Sequence, residues 1–137
     1  MTFDDVTAGQ VLPELEIAVT ASQIVAGAIA TNDFEKVHHD KELAKTTGVP
    51  DIFMNILTTN GLVQRFVTDW AGSNARIRKI KVRLGAPNFV GDTMRFTGAV
   101  EAVDAQARTA DVKVSGRNSI GEHVTATVTI GFAEGAR

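Results

Sequence analysis

The amino-acid sequence predicts an α+β fold in which an antiparallel sheet wraps around one long helix. Two observations lead to this prediction. In the first half of the chain, apolar residues recur at helical spacing, and over 53–71 they cover an arc too wide for a surface helix. From residue 75 onward, apolar and polar residues alternate, which is typical of strands with one buried face. A sheet of this kind buries its apolar face against a helix.

The first half is predicted to contain a short strand followed by three helices. The strand covers 14–19, directly after Pro13. Helical periodicity predicts helices over 22–30, 41–47 and 53–71. A polar side chain that can cap free backbone amides stands at or just before the start of each helix. These predicted caps are Ser22, Asp40 and Asp51.

The second half is predicted to form an antiparallel meander. Polar residues alternate with four apolar sets that would face the helix: Ile80, Val82 and Leu84; Met94, Phe96, Gly98 and Val100; Val112 and Val114; and Val124, Ala126, Val128, Ile130 and Phe132. Turn-forming residues separate these sets. This order of elements predicts the hot-dog fold. Because the open edges of such a sheet must be paired or protected, we expect edge pairing between two copies of the chain, and thus a dimer.

Composition narrows the possible functions. The 137 residues correspond to a single domain, 1–137, with a net charge of −2. This small charge gives no electrostatic case for binding nucleic acid or an anionic membrane. Cysteine and tyrosine do not occur, which excludes disulfides, thiolate-bound metals and catalysis by a thiol or a phenol. The sequence shows no basic leader and no apolar run of membrane length, and we expect a cytoplasmic protein.

The best candidate for chemistry is the polar segment 31–40, between the first two helices. It contains Asp33 and, five residues later, His38. A histidine exchanges protons near neutral pH, and a nearby carboxylate orients it or shares the proton transfer. We expect the segment to lie beside the N-terminus of the long helix, where free amides and the helix dipole favour negative charge. This combination suits enolate chemistry on a thioester.

Three segments carry motifs of a known family: Asp33-Phe34-Glu35-Lys36-Val37-His38, Ile52-Phe53-Met54-Asn55-Ile56-Leu57-Thr58 and Phe89-Val90-Gly91-Asp92-Thr93. They resemble the MaoC-like, R-specific enoyl-CoA hydratases, whose motif runs Gly/Ser-Asp-x-Asn-Pro-aliphatic-His. The Asp and His of that motif fall on Asp33 and His38. The resemblance implies a hot-dog fold and hydration of an enoyl-CoA. The sequence departs from the family at Glu35-Lys36, and it has Met54-Asn55 where the family has His-Gly.

Further segments narrow the resemblance: 37–40, 51–58, 61–65, 67–72 and 83–85. They look very like the small MaoC-like subunit of actinobacterial steroid side-chain enoyl-CoA hydratases. This similarity implies that the substrate is a steroid CoA thioester with an unsaturated side chain. It also implies a heterotetramer with a larger hot-dog subunit, which has a degenerate active site and a fused zinc-ribbon/OB-type domain.

The resemblance assigns roles to individual groups. Asp33 and His38 would hold and activate a water for syn addition to the β-carbon. The backbone amide of Asn55 would stabilise the enolate oxygen at the positive end of the long helix. No metal or redox cofactor is needed, because CoA arrives with the substrate.

Supporting residues are expected in the first turn of the long helix and next to the catalytic histidine. Three polar side chains of that turn are candidates to hold Asp33 by a hydrogen bond: Thr58, Thr59 and Asn60. His39 is expected to be structural or to lie near the substrate. His123 stands next to turn residues, and we expect it at the surface or at an interface.

Two other functions stay open. A self-sufficient homodimeric hydratase for fatty enoyl-CoA would need no partner, but the sequence lacks the His-Gly pair of that group. A non-catalytic hot-dog chain would only complete a partner's active site, but Asp33 and His38 are retained. The cations over 76–83 also have two interpretations. They contact CoA phosphates or an acidic partner, or they form a solvated strand face that discourages stray edge pairing.

Overall fold

The structure, a computed structural model, describes residues 1–133. Its helices are α1 (Ala21–Ala30), α2 (Lys41–Thr46) and α3 (Ile56–Ala71). Its strands are β1 (Leu15–Ala18), β2 (Ala75–Leu84), β3 (Thr93–Asp104), β4 (Thr109–Arg117) and β5 (Glu122–Phe132). Short 3₁₀ turns occupy Phe3–Asp5 and Lys36–His38. None of the helices in 1–133 is long and apolar enough to cross a membrane.

The strands of residues 1–133 form one antiparallel sheet in the order β1-β3-β4-β5-β2. Strands β3, β4 and β5 follow one another in the chain, so their pairing is local in sequence. Strand β2 comes before them and pairs with β5, from Ala75 opposite Phe132 to Leu84 opposite Val124. The sheet therefore ends in the short β1 at one edge and the long β2 at the other. This arrangement confirms the α+β prediction.

Helix α3 packs on the apolar face of the sheet through Phe66. Its ring stacks on that of Phe96 in β3, with centroids 5.6 Å apart and ring planes 21° apart. Gly98 permits this approach, because a Cβ there would lie 2.8 Å from Cε1 of Phe66. The predicted inward faces of β3 and β5 are confirmed, since Phe96, Val128 and Ile130 are fully buried.

Helix α3 begins at Ile56, three residues later than predicted. Phe53 forms an isolated β-bridge with Phe89, and this extended pairing keeps it out of the helix. Asn55 has an extended backbone and is the N-cap. Its side-chain oxygen accepts a hydrogen bond from the Thr58 amide at 3.0 Å. A contact distant in sequence therefore decides where the helix starts.

One predicted N-cap is confirmed and two are wrong. Asp40 caps α2 as predicted. Helix α1 is capped by Thr20, whose extended backbone lets its hydroxyl accept from the amide three residues later, so Ser22 is already helical. Asp51 was predicted to cap α3, but it lies four residues before the true cap, Asn55. In both failures a neighbouring polar residue had the extended backbone that a cap requires.

Helix α3 is buried along one face only, whereas the sequence predicted burial of most of it. Its inward residues are Thr59, Val63, Phe66, Val67 and Ala71. Ile56 and Leu57 are 46% and 47% exposed. The sheet covers one side of α3 and α1 packs against another part. Apolar side chains therefore remain uncovered at the N-terminus of this helix.

The close approach of α1 to α3 leads to a prediction about two glycines. A Cβ at Gly27 would lie 2.2 Å from Oγ1 of Thr58, whereas a Cβ at Gly61, within α3, would meet nothing within 4 Å. We predict that G27A lowers the free energy of unfolding by about 1–3 kcal/mol through overpacking. G61A should raise it by about 0.5–1 kcal/mol, because alanine favours the helix. Urea unfolding measures both changes in free energy. Equal effects of the two substitutions would show that the close approach of α1 to α3 does not exclude a side chain at residue 27.

Candidate active site

The structure places the two predicted catalytic side chains beside one another. Oδ2 of Asp33 lies 3.4 Å from Nε2 of His38. Asp33 follows the end of α1, and His38 lies in the 3₁₀ turn Lys36–His38. The His38 side chain is 9% exposed and that of Asp33 is 24% exposed. The pair is therefore shielded by protein on most sides but open to a ligand.

The C-terminal end of α1 positions Asp33. Asn32 has a φ of 57°, in the left-handed region that asparagine tolerates better than most residues. The Asp33 amide donates to the Ala28 carbonyl at 2.9 Å, and the Asn32 amide donates to the Ile29 carbonyl at 3.0 Å. These two bonds form a Schellman motif. The motif ends the helix sharply and fixes the backbone of Asp33.

His38 is oriented by the chain segment that precedes α3. Its Nδ1 lies 2.7 Å from the carbonyl oxygen of Phe53, and the two rings meet edge-on with centroids 5.1 Å apart. A carbonyl only accepts hydrogen bonds, so Nδ1 of His38 carries a proton, and the neutral form of His38 directs the lone pair of Nε2 toward Asp33. Two acceptors that face each other at 3.4 Å need a shared proton or a water that donates to both.

Hydrogen-bond donors hold Asp33 as a carboxylate. Nδ2 of Asn55 donates to its Oδ2 at 2.9 Å, and the Glu35 amide donates to its Oδ1 at 3.2 Å. The bond from Asn55 lowers the pKa of Asp33 most, followed by the bond from Glu35, and desolvation partly opposes this shift. Asp33 is therefore ionised at neutral pH and can accept a proton.

The side chain of Asn55 connects Asp33 to α3, a role that sequence reasoning missed. Its Nδ2 donates to Oγ1 of Thr31 and to Oδ2 of Asp33, both at 2.9 Å, while its Oδ1 accepts from the Thr58 amide. A carboxylate only accepts and an amide N–H only donates, so the carboxamide has one orientation. The available signal was the type and place of the residue, because asparagine directly before an apolar helix favours an N-cap.

The backbone amide of Asn55 is an unused hydrogen-bond donor in the described part of the chain. No oxygen within residues 1–133 accepts a hydrogen bond from it, although Asn55 is only 2% exposed. This amide stands at the N-terminus of α3, where the helix dipole is positive. An oxygen that develops negative charge would satisfy this donor. The geometry thus suits the predicted oxyanion position.

The predicted support of Asp33 by the first turn of α3 is wrong. Asp33 accepts from Asn55 and Glu35. Within the described part of the chain, it receives no hydrogen bond from the three candidates: Thr58, Thr59 and Asn60. The hydroxyl of Thr58 is buried without a hydrogen-bond partner in 1–133. Because Asn55 stands before the first turn and Asp33 lies beside that end of α3, the cap residue takes the contact.

His123 is buried in a second polar network, so the predicted surface or interface position is wrong for the isolated chain. It is 3% exposed. Its Nδ1 lies 2.6 Å from the Ala86 carbonyl oxygen, and its Nε2 lies 2.8 Å from Oγ1 of Thr59. Nδ1 must therefore carry the proton, and Nε2 accepts from the Thr59 hydroxyl. Burial lowers the pKa of His123, and the bond to Ala86 partly opposes this shift. A neutral His123 thus ties α3 to β5.

Exposed apolar side chains stand next to the site residues in the chain. Phe34 is 63% exposed, Ile56 46% and Leu57 47%. Phe34 follows Asp33 in the chain, and Ile56 and Leu57 follow Asn55. His39, predicted to lie near the substrate, is exposed next to His38. Exposed apolar side chains of this kind suit an apolar ligand or a covering chain.

Comparison with known proteins identifies the family. Residues 3–122 match the MaoC like domain. The chain belongs to the MaoC-like domain family. The matched range contains the Asp33–His38 pair, helix α3 and most of the sheet of this MaoC-like domain.

A curated relative and two solved structures resemble this MaoC-like domain over nearly its whole length. It is 52% identical over 126 residues to the 3-oxo-4,17-pregnadiene-20-carboxyl-CoA hydratase beta subunit of Mycobacterium tuberculosis, covering 92% of this chain and 96% of that protein. It matches a chain of the ChsH1–ChsH2 complex from M. tuberculosis with a TM-score of 0.89 and 50% identity, covering 93% of this chain and 98% of that chain. An (R)-hydratase from A. caviae has a TM-score of 0.86 at 20% identity, covering 93% and 98% respectively. The predicted hot-dog fold is confirmed.

We predict that N55A raises the pKa of Asp33, because the substitution removes the donor that lowers it most. A ¹³C NMR titration of the Asp33 carboxyl group measures this change. The folded-state pKa of Asp33 lies below its unfolded value, so its hydrogen bonds stabilise the fold at neutral pH and cease to do so as pH falls through the folded-state pKa. N55A also removes the N-cap, which should cost about 0.5–2 kcal/mol of unfolding free energy.

The matched control N55D separates the effect of the N-cap from the effect of the hydrogen bond to Asp33. Aspartate caps helices as well as asparagine does, so N55D keeps the N-cap of α3, and the stability that it loses at neutral pH comes from the repulsion of two facing carboxylates. Its carboxylate cannot donate to Asp33 and adds a like charge, so the pKa of Asp33 should rise further than in N55A. An Asp33 pKa that stays unchanged in both variants would contradict the role of the Asn55 hydrogen bond in lowering it.

Buried His123 predicts a pH dependence of stability. Its pKa in the folded chain is lowered from the ordinary value of 6.5, so protons bind more readily to the unfolded chain. The free energy of unfolding should therefore decrease as pH falls below about 6.5, until the folded-state pKa is reached. H123Q, which cannot take up a proton, should flatten this slope in urea unfolding at several pH values. The control H39Q changes an exposed histidine and should keep the slope.

Proposed function

We propose that this chain is the catalytic subunit of a heteromeric enoyl-CoA hydratase, a hydro-lyase that adds water to the unsaturated side chain of a steroid CoA thioester. The observation that carries the proposal is the Asp33–His38 pair, held by Asn55 beside the free amide at the start of α3. The M. tuberculosis relative supports the choice of reaction and substrate, because its name specifies a hydratase of 3-oxo-4,17-pregnadiene-20-carboxyl-CoA.

Asp33 and His38 would activate the water together. Ionised Asp33 and neutral His38 present acceptors to one another across 3.4 Å. A water that bridges them from the side donates one hydrogen to each and directs an oxygen lone pair toward the substrate. As the oxygen bonds to the β-carbon, one of the two groups takes its proton. The same face of the site then returns a proton to the α-carbon. The result is syn addition of one water, with the protein back in its starting protonation state.

The N-terminus of α3 would stabilise the enolate between these two steps. When water adds to the β-carbon, electrons move through the double bond to the thioester oxygen, which becomes negative. The amide of Asn55 is a preformed donor at the positive end of the helix dipole. Because its direction is set by the cap geometry of α3, it needs no reorganisation when the charge appears.

The exposed apolar side chains next to the site residues in the chain support a bulky apolar acyl group and a second subunit. Phe34, Ile56 and Leu57 stay exposed in the isolated chain, and a steroid would cover apolar surface of this kind. The relative is a beta subunit, and the matched structure is the ChsH1–ChsH2 complex. We therefore propose a heterotetramer in which a larger hot-dog subunit, with a fused zinc-ribbon/OB-type domain, completes the substrate pocket.

The proposed reaction balances without a metal or redox cofactor, because water and the CoA thioester are its only reactants. Asp33, His38 and the Asn55 amide supply the required proton acceptors and the required donor. His39, Thr58 and Asn60 remain proposed as residues near the substrate, with no part in holding Asp33. We also propose that the enzyme acts in the cytoplasm, on the basis of its cysteine-free composition.

We predict that D33N and H38A each lower turnover at least ~100-fold, as expected for a positioned acid–base group. The assay combines this chain with the other subunit of the M. tuberculosis ChsH1–ChsH2 complex and follows loss of the conjugated thioester absorbance of a steroid enoyl-CoA. The control E35Q makes the same carboxylate-to-amide change two residues from Asp33 and should retain activity, because the Glu35 side chain is exposed.

Crotonyl-CoA distinguishes the proposed function from its alternatives. The chain alone should hydrate it poorly, because the site is open on one side. Rapid hydration of crotonyl-CoA by the chain alone would favour a self-sufficient fatty enoyl-CoA hydratase. Steroid hydration by the complex that is unchanged in D33N and H38A would place the chemistry in the partner and make this chain a scaffold.

A further inference from the structure

The loop between β2 and β3 places a fully buried asparagine beside the segment that leads into α3. Asn88 is 0% exposed, and it precedes Phe89, which forms the β-bridge with Phe53. Its backbone carbonyl accepts a hydrogen bond from the Met54 amide at 3.0 Å. Met54 stands between the carbonyl that His38 contacts and the amide proposed as the oxyanion donor. Asn88 therefore contacts the backbone on which both of these groups depend.

The bond from Met54 to Asn88 sets the direction of the carbonyl that orients His38. The N–H of Met54 and the carbonyl of Phe53 belong to one planar, trans peptide group, so they point in opposite directions. The N–H points to Asn88, and the carbonyl oxygen lies 2.7 Å from Nδ1 of His38. A rotation of this peptide group would move the N–H and the carbonyl together. Holding Met54 on Asn88 thus holds the acceptor for His38.

Met54 also controls the direction of the oxyanion donor. The backbone N–H of Asn55 belongs to the next peptide group, which turns relative to the first only about the φ and ψ bonds of Met54. On its other side, Asn55 is held by its cap on α3. Fixing Met54 therefore fixes the angle between the carbonyl that His38 uses and the amide that would face the thioester oxygen.

The side chain of Asn88 holds this backbone through three neighbours. Its Nδ2 lies 3.1 Å from Sδ of Met94 and 3.8 Å from Sδ of Met54. Its Oδ1 accepts from Nδ2 of Asn118 at 3.2 Å. Asn118 lies in the turn between β4 and β5, where its own Oδ1 accepts from two amides of the turn. The carboxamide of Asn88 therefore connects Met54 to β3 and to that turn.

Stability alone does not favour an amide at this position. A buried carboxamide costs free energy unless it is hydrogen-bonded, and the thioether sulfurs beside Asn88 are weak acceptors. An apolar side chain would pack against the same two methionines without this cost. The amide instead gives direction, because its N–H and its carbonyl oxygen fix the rotation of Asn88 relative to its neighbours.

We propose that Asn88 is a positioning residue of this active site, acting through the backbone of Met54. It holds two groups at once: the imidazole of His38, with the proton on Nδ1, and the backbone amide of Asn55, in the direction of the thioester oxygen. This inference rests on the proposed function, because it assigns Asn88 a part in the proposed hydration. Asn88 itself touches neither the bridging water nor the thioester.

The substitution N88A removes the carboxamide and leaves the backbone carbonyl in place. Nδ2 of Asn118 keeps a partner, because it also donates to the Pro87 carbonyl at 2.9 Å. ¹⁵N NMR of the full chain measures the tautomer of His38. The neutral imidazole should carry its proton on Nδ1 in the unaltered chain and shift toward the Nε2-protonated form in N88A.

Steady-state kinetics with the other subunit of the M. tuberculosis ChsH1–ChsH2 complex measures the consequence for catalysis. In N88A, kcat for a steroid enoyl-CoA should fall ~10–100-fold, while KM changes less than ~3-fold, because the misplaced groups act in the transition state. The second variant, N118D, still accepts from the turn amides but cannot donate to Asn88. It should show the same two changes at a smaller size.

The matched control N74A removes an asparagine near the start of β2 that donates to the Met1 carbonyl at 3.3 Å, and it should change neither the tautomer nor kcat. An unchanged His38 tautomer in N88A and N118D would overturn the proposal, as would a fall in kcat without a change of tautomer. If N88A does not fold, N118D decides by the same two measurements. A tautomer shift in N88A, together with no hydration of a steroid enoyl-CoA by the unaltered complex, would support positioning by Asn88 and contradict the proposed function.

Discussion

The side-chain amide of Asn55 is the contact on which the site and the start of the central helix both depend. Its oxygen caps α3, and its nitrogen donates to Thr31 and Asp33. Three of the four hydrogen bonds that a carboxamide can make are therefore used. A buried amide that lost one of these partners would leave a polar group unsatisfied, which costs more than the bond itself contributes. The helix start and the carboxylate of Asp33 are therefore held in one relative position.

Contacts made by α1, by the turn after it and by His38 support this position of Asp33 beside the start of α3. Gly27 lets α1 lie directly against Thr58 of α3, so the end of α1 reaches the helix N-terminus. The Schellman motif at Asn32 then turns Asp33 back toward Asn55. His38 is fixed from the opposite direction by the carbonyl of the segment that enters α3. Asp33, His38 and the Asn55 amide are thus all tied to the same helix end, a rigid support of the kind that acid–base chemistry needs.

The fold and the acid–base pair were accessible from the sequence because local patterns determine them. The alternation in β3 and β5 has one period and one buried face, and Asp33 and His38 belong to one short segment. The failures have tertiary causes. Phe53, which the sequence predicted to be helical, lies outside α3 because it pairs with Phe89. Asn55 reaches Asp33 across 22 residues of sequence, and His123 reaches Thr59 across 64. No periodicity records such contacts. The only signal for Asn55 as the N-cap of α3 was its residue type, and Asp51 carries the same kind of signal.

The uncovered surfaces have a common cause in the size of the sheet relative to its covering layer. One long helix buries the central strands but leaves β2 half-covered and the apolar N-terminus of α3 exposed. A thioester oxygen at the Asn55 amide would therefore meet water in the isolated chain. Water weakens each electrostatic interaction there, because the effective dielectric is high. A subunit that closed this side would strengthen the amide and the helix dipole without adding a catalytic group. In the proposed reaction, the chain itself would set the geometry, and a covering partner would set the polarity of the site.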